Sequence, residues 1–228
     1  MIAMPLLHLH IPRTGGSTIT KMLEGYYGDR YHRVPNGQAG EFWSEQAFNF
    51  DDYDVISGHF VYAKSDCPYI TFLRNPIDRL LSLHYYFGHT SAKGYRDEIA
   101  LLSFEQFALS DFPTRSLHDE LFYFVDNDMV RRISGMGKVY RAVGEAELGQ
   151  ALRNLEKFPF VGLVEYFNDS VRRWEKLFGW PELEYGRYLY QPDRLQQKKL
   201  PNRLIGEITE KQRYDFALYR AVFERDWL

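Results

Sequence analysis

Cysteine is nearly absent from this 228-residue chain, and the chain contains no run of about 18 consecutive apolar residues. The lone Cys67 excludes a disulfide within the chain, and no charged-then-apolar leader pattern is present. From these absences we expect a cytoplasmic protein in a reducing compartment, without a transmembrane segment. Cys67 has no obvious base beside it, so we expect a buried thiol and not a nucleophile.

The sequence also lacks an excess of positive charge. Its formal net charge is −3, whereas a nucleic-acid-binding domain usually carries a basic surplus, so we expect no nucleic-acid partner. Any anion site must therefore be local. Repeats and low-complexity segments are absent, and a 45% hydrophobic composition is sufficient for one core. These features predict a single domain.

The apolar patterns indicate strands that alternate with helices. Short β-branched and aromatic runs predict strands at 6–11, 53–60, 68–74 and 158–165. Helical patterns cover 75–88, 103–110, 118–134, 145–157, 168–178 and 209–226, and 181–206 is the least regular stretch. This alternation predicts an α/β fold in three layers, with a central, mainly parallel sheet flanked by helices. Ligands of such sheets bind beyond the carboxyl ends of the strands.

The first candidate site is a glycine turn in residues 6–28, LLHLHIPRTGGSTITKMLEGYYG. The apolar period changes from two to 3.6 across the glycines, which predicts a strand, a turn and a helix. A helix start offers unpaired N–H groups and partial positive charge, and glycines let an anion approach closely. The predicted anion ligands are Arg13, Thr14, Gly15, Gly16, Ser17 and Thr18. The alternative is an ordinary turn in which Ser17 caps the helix.

A second candidate anion site follows the strand at 68–74. Arg74 ends this strand, and Asn75 and Pro76 are typical of a helix cap and first helical position. Ser82 lies about 10 Å further along nearly the same helix face. Arg74 and Ser82 are therefore predicted to hold one ligand. The alternative pairs Arg74 with Asp78 and leaves Ser82 facing solvent.

These two segments resemble a known family. The sequences HIPRTGGSTI and YITFLRNPIDRLLSLHYYF are similar to the two nucleotide-binding segments of sulfotransferases related to heparan sulfate 2-O-sulfotransferase. The resemblance continues through SGHF, NDMVRRISG and FPFVGLVEYFNDS, and more weakly through QQKKLPN. It implies a P-loop NTPase-like sulfotransferase fold over residues 1–228.

The resemblance also implies a donor and a reaction. The donor is 3′-phosphoadenosine 5′-phosphosulfate (PAPS), its product is 3′-phosphoadenosine 5′-phosphate, and the acceptor is a hydroxyl group such as that of a carbohydrate. The first segment is expected to bind the 5′-phosphosulfate. Arg74 and Ser82 match the residues that bind the 3′-phosphate. No metal is expected, because G-x-x-x-x-G-K-[ST] is absent and no Mg²⁺ arrangement accompanies the loop.

A catalytic base is implied at His59, which matches the Gly-His position of the family. Histidine titrates near neutral pH and therefore suits this task. His118, Asp119 and Glu120 are rival bases. The heparan enzymes carry another histidine where this chain has Ser57, so the same acceptor does not follow.

Arg13 is a second departure, because the family more often has lysine there. A guanidinium remains charged at any ordinary pH, so we expect Arg13 to act in catalysis by electrostatic stabilisation and not by proton donation. Its planar fork also differs from a compact ammonium group. Binding of the donor is expected to survive the replacement.

Several alternatives remain open at this point. The chain can be a nucleotide kinase that uses ATP and Mg²⁺, or a non-catalytic nucleotide-binding module. His8 and His10 share a strand face that suits metal ligands, but no third ligand has suggestive spacing, and His10 is expected to support the loop. Candidates for binding an anionic acceptor or closing over the nucleotide are Arg131, Arg132, Lys198, Lys199 and Arg203. The acceptor and the oligomeric state are left open.

Overall fold

The computed structural model describes residues 5–35, 50–63, 66–89, 96–110, 119–183, 185–186 and 195–227. In these ranges the strands are β1 (Leu6–Leu9), β2 (Tyr31–Arg33), β3 (Val55–Gly58), β4 (Tyr69–Leu73) and β5 (Phe160–Leu163). They form one sheet in the order β2-β3-β1-β4-β5, and every neighbouring pair is parallel. The predicted parallel α/β sheet is therefore confirmed.

Ten α-helices occur in the described ranges. They are α1 (Gly16–Tyr27), α2 (Pro76–His89), α3 (Arg96–Ala100), α4 (Phe104–Leu109), α5 (Asp119–Val125), α6 (Asp128–Ile133), α7 (Glu145–Leu155), α8 (Phe167–Phe178), α9 (Asn202–Lys211) and α10 (Arg213–Trp227). Across the described residues, no helix is both long and apolar enough to cross a membrane. Cys67 is buried with a free thiol, as predicted.

The two faces of the sheet carry different helices. In β1, Leu7 and Leu9 belong to a core cluster with α6, α7 and α10, whereas Leu6 belongs to a cluster with α1 and α8. Successive side chains of a strand point to opposite faces, so this division places helices on both sides of the sheet. The result is the predicted three-layer arrangement. A further apolar cluster joins α2 to α3, α4, α5 and α9.

The helix predicted over 118–134 is interrupted at Asn127. Its φ of 44° is left-handed, and α5 and α6 end and begin on either side of it. Asn127 Oδ1 accepts a hydrogen bond from the Asp215 N–H at 3.0 Å, and the Asp215 carboxylate accepts from the N–H groups of Met129 and Val130. Asp215 of α10 therefore accepts hydrogen bonds from N–H groups at the start of α6, and two helices form where one was predicted.

The last predicted helix is also divided. The helix expected over 209–226 is divided at Gln212, whose Nε2 donates to the Val125 carbonyl at 2.6 Å. The stretch 181–206 contains the start of α9, although 184 and 187–194 lie outside the described residues. The short strand β2 was not predicted. A strand of three residues is too short to show a clear alternation of apolar and polar residues.

Gly162 in β5 lies close to a side chain of β4, so a substitution at this position tests the packing between the two strands. A Cβ atom at Gly162 would lie 2.3 Å from Cε1 of Phe72, its partner in the strand register. Gly162→Ala must therefore displace a buried ring, and we expect it to lower the free energy of unfolding by ~1–3 kcal/mol. Denaturant unfolding followed by circular dichroism measures this loss.

Gly206→Ala is the matched control. Nothing lies within 4 Å of a Cβ atom at this exposed position in α9. Alanine is the better helix former, so this variant should gain up to about 1 kcal/mol. Equal effects of the two substitutions would contradict the close contact between Gly162 and Phe72.

Candidate active site

The two predicted anion-binding motifs follow neighbouring strands of the sheet. β1 and β4 are parallel neighbours, with Leu7 opposite Tyr69. The loop after β1 leads into α1, and Arg74 and Asn75 lead from β4 into α2. Parallel strands end at the same edge of a sheet, so both helix starts face one region.

The loop before α1 has a left-handed backbone at two positions. Gly15 has φ 81° and is the N-cap of α1, while Arg13 has φ 70°. A non-glycine residue in this region stores strain of about 1–3 kcal/mol and is commonly found at functional sites. The alternative of Ser17 as the cap is wrong, because Ser17 lies inside the first turn. The N–H groups of Gly16 and Ser17 precede the first hydrogen bond of the helix and suit an anion.

The two threonines of the loop are buried. Thr14 Oγ1 donates to the Ile11 carbonyl at 2.8 Å, so this hydroxyl hydrogen is used to hold the turn. Thr18 is 7% exposed and its N–H donates to the Gly15 carbonyl at 3.1 Å. The groups of the loop that suit an anion are therefore chiefly its backbone N–H groups, Ser17 and Arg13.

The start of α2 is capped as predicted. Asn75 Oδ1 accepts from the N–H groups of Ile77 and Asp78 at 3.0 and 3.3 Å. The Asn75 N–H donates to Glu165 Oε1 at 2.8 Å, which joins this helix start to the end of β5. Desolvation raises the pKa of the Glu165 carboxyl, and the charge of Arg74 opposes that rise. Glu165 was not predicted as a site residue, although its position two residues after the buried strand β5 was a signal.

Direct hydrogen bonds connect the two motifs. Arg74 Nη1 donates to the Arg13 carbonyl at 3.1 Å, and Arg13 Nε donates to Ser82 Oγ at 3.0 Å. The Arg13 guanidinium carbon also lies 4.9 Å from the ring centroid of Tyr86. Ser82 is only 2% exposed, so the alternative of a solvent-facing serine is wrong. Arg13, Arg74 and Ser82 are thus brought together.

His59 follows β3, on the other side of β1. Its Nδ1 lies 2.8 Å from the His10 carbonyl. A carbonyl oxygen only accepts, so Nδ1 carries the proton and the Nε2 lone pair is the one able to accept another. Arg132 Nη1 donates to the His59 carbonyl at 2.9 Å, which holds the backbone of this residue.

Burial keeps the histidines of this edge neutral. The pKa of His59 is lowered to about 4, first by desolvation and then by the charge of Arg132. Desolvation and His59 lower the pKa of His8 to about 3, and desolvation lowers the pKa of His10. The rings of His10 and His59 have centroids 4.2 Å apart. At neutral pH His59 is therefore an uncharged proton acceptor.

His10 packs directly on the start of α1. A Cβ atom at Gly16 would lie 1.6 Å from His10 Nε2. Any larger residue at Gly16 must move this ring, which also lies against the ring of His59. His10 therefore supports the loop, as predicted.

The other arginine candidates have different roles. Arg131 is 1% exposed and donates to the carbonyls of Gly137, Val139 and Arg141, so its predicted role in binding an acceptor is wrong. Arg132 Nε donates to Asp128 Oδ1 at 2.8 Å, and Arg79 Nη1 from α2 reaches Asp128 Oδ2 at 3.3 Å. This buried network was not predicted, although Asp128 and Arg132 have the i,i+4 spacing of a helical ion pair.

The remaining candidates make other contacts, are exposed, or lie outside the described residues. Arg203 pairs with Glu105 and Glu207, while Lys198 and Lys199 are exposed in a short helical turn. His118 lies outside the described residues, and for Asp119 and Glu120 only the helical backbone is described. Within the described ranges, no group of three or more His, Cys, Asp or Glu side chains is arranged to hold a metal ion.

The architecture is that of a three-layer α/β protein whose candidate site lies at the carboxyl edge of a parallel sheet. Residues 4–220 match the family model described as Sulfotransferase family. None of the curated proteins compared with the chain matches it. Because the family match covers most of the chain, the protein belongs to the sulfotransferase family, whose reaction is sulfuryl transfer.

The environment of His59 predicts its titration. NMR of histidine-labelled protein should show His59 titrating near pH 4. Arg132→Gln removes a neighbouring cation while burial persists, so the pKa of His59 should rise but stay below 6.5. Arg153→Gln, at an exposed position in α7, is the control and should leave the titration unchanged. A His59 pKa near 6.5 in the unsubstituted protein would show that burial has been misjudged.

Proposed function

We propose that the chain is a single-domain, PAPS-dependent sulfotransferase that transfers the sulfuryl group to a hydroxyl acceptor such as a carbohydrate. The observation that carries this proposal is the contact between the two anion motifs through Arg13, Arg74 and Ser82. A donor with phosphate groups at both its 5′ and 3′ positions requires two anion subsites in one region. The family match supports the same reaction.

The donor would be held at both helix starts. The 5′-phosphosulfate suits the N-terminus of α1, where backbone N–H groups and the helix dipole stabilise negative charge. The residues of this subsite are Arg13, Thr14, Gly15, Gly16, Ser17 and Thr18. The 3′-phosphate suits Arg74 and Ser82 at α2. When bound, the donor supplies the sulfuryl group and leaves as 3′-phosphoadenosine 5′-phosphate.

His59 is the proposed general base. As the acceptor oxygen attacks the sulfur in line with the leaving phosphate, His59 Nε2 takes the hydroxyl proton. The bond from Nδ1 to the His10 carbonyl keeps Nε2 in its accepting form and becomes stronger as the ring gains charge. Arg13 remains protonated and stabilises the donor electrostatically.

Nucleotide selectivity tests the donor. Adenosine 3′,5′-bisphosphate should raise the melting temperature far more than AMP or ADP, because Arg74 and Ser82 bind the 3′-phosphate. A ligand present at 100 times its Kd adds about 2.7 kcal/mol to the free energy of unfolding. Arg74→Ala should weaken binding of the bisphosphate and leave the affinity for AMP nearly unchanged, while Arg153→Ala should alter neither affinity. Equal shifts from ADP and the bisphosphate would overturn the assignment, and a requirement for ATP with Mg²⁺ would favour a kinase.

Measurement of turnover tests whether His59 is the general base. His59→Ala should lower kcat by roughly 10² to 10⁴, because general-base assistance is lost, while bisphosphate affinity stays near that of the unsubstituted enzyme. Transfer of labelled sulfate from PAPS across a panel of glycans and small alcohols provides the assay. His89→Gln, at an exposed histidine at the end of α2, is the control and should keep full activity.

The pH profile gives a second readout for His59. The pH dependence of kcat/KM reports the free enzyme, in which the pKa of His59 is lowered to about 4. A base must be neutral to accept a proton, so kcat/KM should rise through pH 4 and stay level near neutrality. If His59→Ala keeps more than about a third of kcat and the same rising limb, the base is another residue, with His118 and Glu120 next to be tested. A bound nucleotide without any turnover would indicate a binding module.

A further inference from the structure

The backbone that follows β3 is held by a residue of α6. Arg132 Nη1 donates to the His59 carbonyl at 2.9 Å, and the Arg132 carbonyl accepts from the Tyr62 N–H at 2.8 Å. These bonds hold residues 59–62, which belong to no strand or helix and so have no ladder of their own. The position of His59 therefore depends on Arg132.

A buried carboxylate fixes the side chain of Arg132. Arg132 Nε donates to Asp128 Oδ1 at 2.8 Å, and Arg79 Nη1 of α2 reaches Asp128 Oδ2 at 3.3 Å. The Asp128 side chain is only 1% exposed, and charge-assisted hydrogen bonds are strong in such surroundings. The guanidinium that holds His59 is thereby fixed relative to the helix that carries Ser82.

The imidazole of His59 depends on this backbone for its own hydrogen bond. Its Nδ1 donates to the His10 carbonyl at 2.8 Å. A neutral imidazole can carry its proton on either nitrogen, and the hydrogen bond selects which one. Only the form protonated on Nδ1 leaves the Nε2 lone pair able to accept a hydroxyl proton. A shift of the His59 backbone would therefore change both the tautomer and the direction of Nε2.

We infer that Arg132 is a positioning residue for His59, anchored by Asp128, and that it directs His59 Nε2 toward a donor held beside α2. This inference rests on the proposed function, in which His59 is the general base, and deepens it by naming the groups that orient that base. Arg132 acts through the His59 backbone and contacts no reacting atom. Such an indirect role matters, because a displacement of about 1 Å can lower a rate about 10²-fold.

The neighbouring residue of α6 provides a matched control. Arg131 is buried like Arg132 and pairs with the Asp126 carboxylate, but its other donors reach backbone carbonyls between 137 and 141. Loss of either guanidinium removes a largely buried ion pair, and both losses should lower the melting temperature. Only the loss of Arg132 releases the carbonyl of His59.

NMR of histidine-labelled protein measures the tautomer of His59 without any turnover. In the unsubstituted protein and in Arg131→Gln, nitrogen chemical shifts at neutral pH should show His59 protonated on Nδ1 alone. Arg132→Gln should give a mixture of the two tautomers, because the ring no longer keeps its bond to the His10 carbonyl. Protonation on Nδ1 alone in Arg132→Gln would overturn the inference.

Kinetics of the same variants measure the effect on transfer of labelled sulfate from PAPS to the best acceptor of the panel. Arg132→Gln should lower kcat by roughly 10 to 10², while its affinity for adenosine 3′,5′-bisphosphate stays within about threefold of the unsubstituted protein. Arg131→Gln, corrected for unfolded protein, should keep kcat within about twofold, since its guanidinium does not contact His59.

Two further variants separate position from charge. Arg132→Lys keeps a cation but lacks the planar fork that reaches Asp128 and the His59 carbonyl together, so it should keep the low pKa of His59 without restoring kcat. The charge of Asp128 raises the pKa of His59, whereas that of Arg132 lowers it. Asp128→Asn and Arg132→Gln should therefore shift this pKa in opposite directions, yet both should lower kcat.

The outcomes distinguish this inference from the proposed function. If the unsubstituted protein transfers no sulfate from PAPS, or if His59→Ala keeps its kcat, the proposed function is wrong, and the tautomer of His59 still tests whether Arg132 orients the ring. If His59 is the base but Arg132→Gln keeps as much kcat as Arg131→Gln, the inference is overturned. Full recovery of kcat in Arg132→Lys overturns it as well, because charge alone would then explain the effect.

Discussion

Parallel pairing of β1 on both of its sides is the constraint on which the site depends. β3 lies on one side and β4 on the other, and the His10 N–H extends the first ladder by donating to the Gly58 carbonyl at 2.9 Å. Thr71 Oγ1 adds a bond to the Leu9 carbonyl at 2.8 Å. Three neighbouring strands therefore end together, which brings residues from three distant segments to one edge.

A buried carboxylate then connects the candidate base with the helix that carries Ser82. Asp128 accepts from Arg132, which also holds the His59 carbonyl, and from Arg79 on α2. Buried charges are stable only when they are paired and hydrogen-bonded, so the three charged groups depend on one another. This dependence keeps α2 and the backbone of His59 in a defined relation.

Burial also sets the chemical state of the edge. The imidazoles of His8, His10 and His59 pack in a row and share one low-dielectric environment, where a positive charge on any of them is disfavoured. The arginines stay charged in similar surroundings because carboxylates, carbonyls or aromatic faces compensate them. The edge therefore combines fixed cations, suited to anions, with neutral bases.

Much of this arrangement follows from local sequence. Periods of two and 3.6 indicated β1, β3, β4 and β5, the Asn75-Pro76 pair predicted the start of α2, and the glycines marked the loop before α1. These signals are readable because each arises within a few residues, from backbone geometry and capping. The resemblance of the two segments also indicated the family from the sequence alone.

Only the tertiary structure decided how these parts meet. The contact of Arg13 with Ser82 joins residues that are 69 positions apart in the sequence. Asn127 interrupts a helical pattern because its side chain accepts a hydrogen bond from the backbone of Asp215 in α10. Arg131 and Arg132 are adjacent in the sequence, yet one holds a loop and the other supports His59. Such choices depend on which distant groups share a buried space, and no local pattern encodes that. The sequence therefore determined the elements and the chemistry of the motifs, whereas packing determined their partners, protonation and roles.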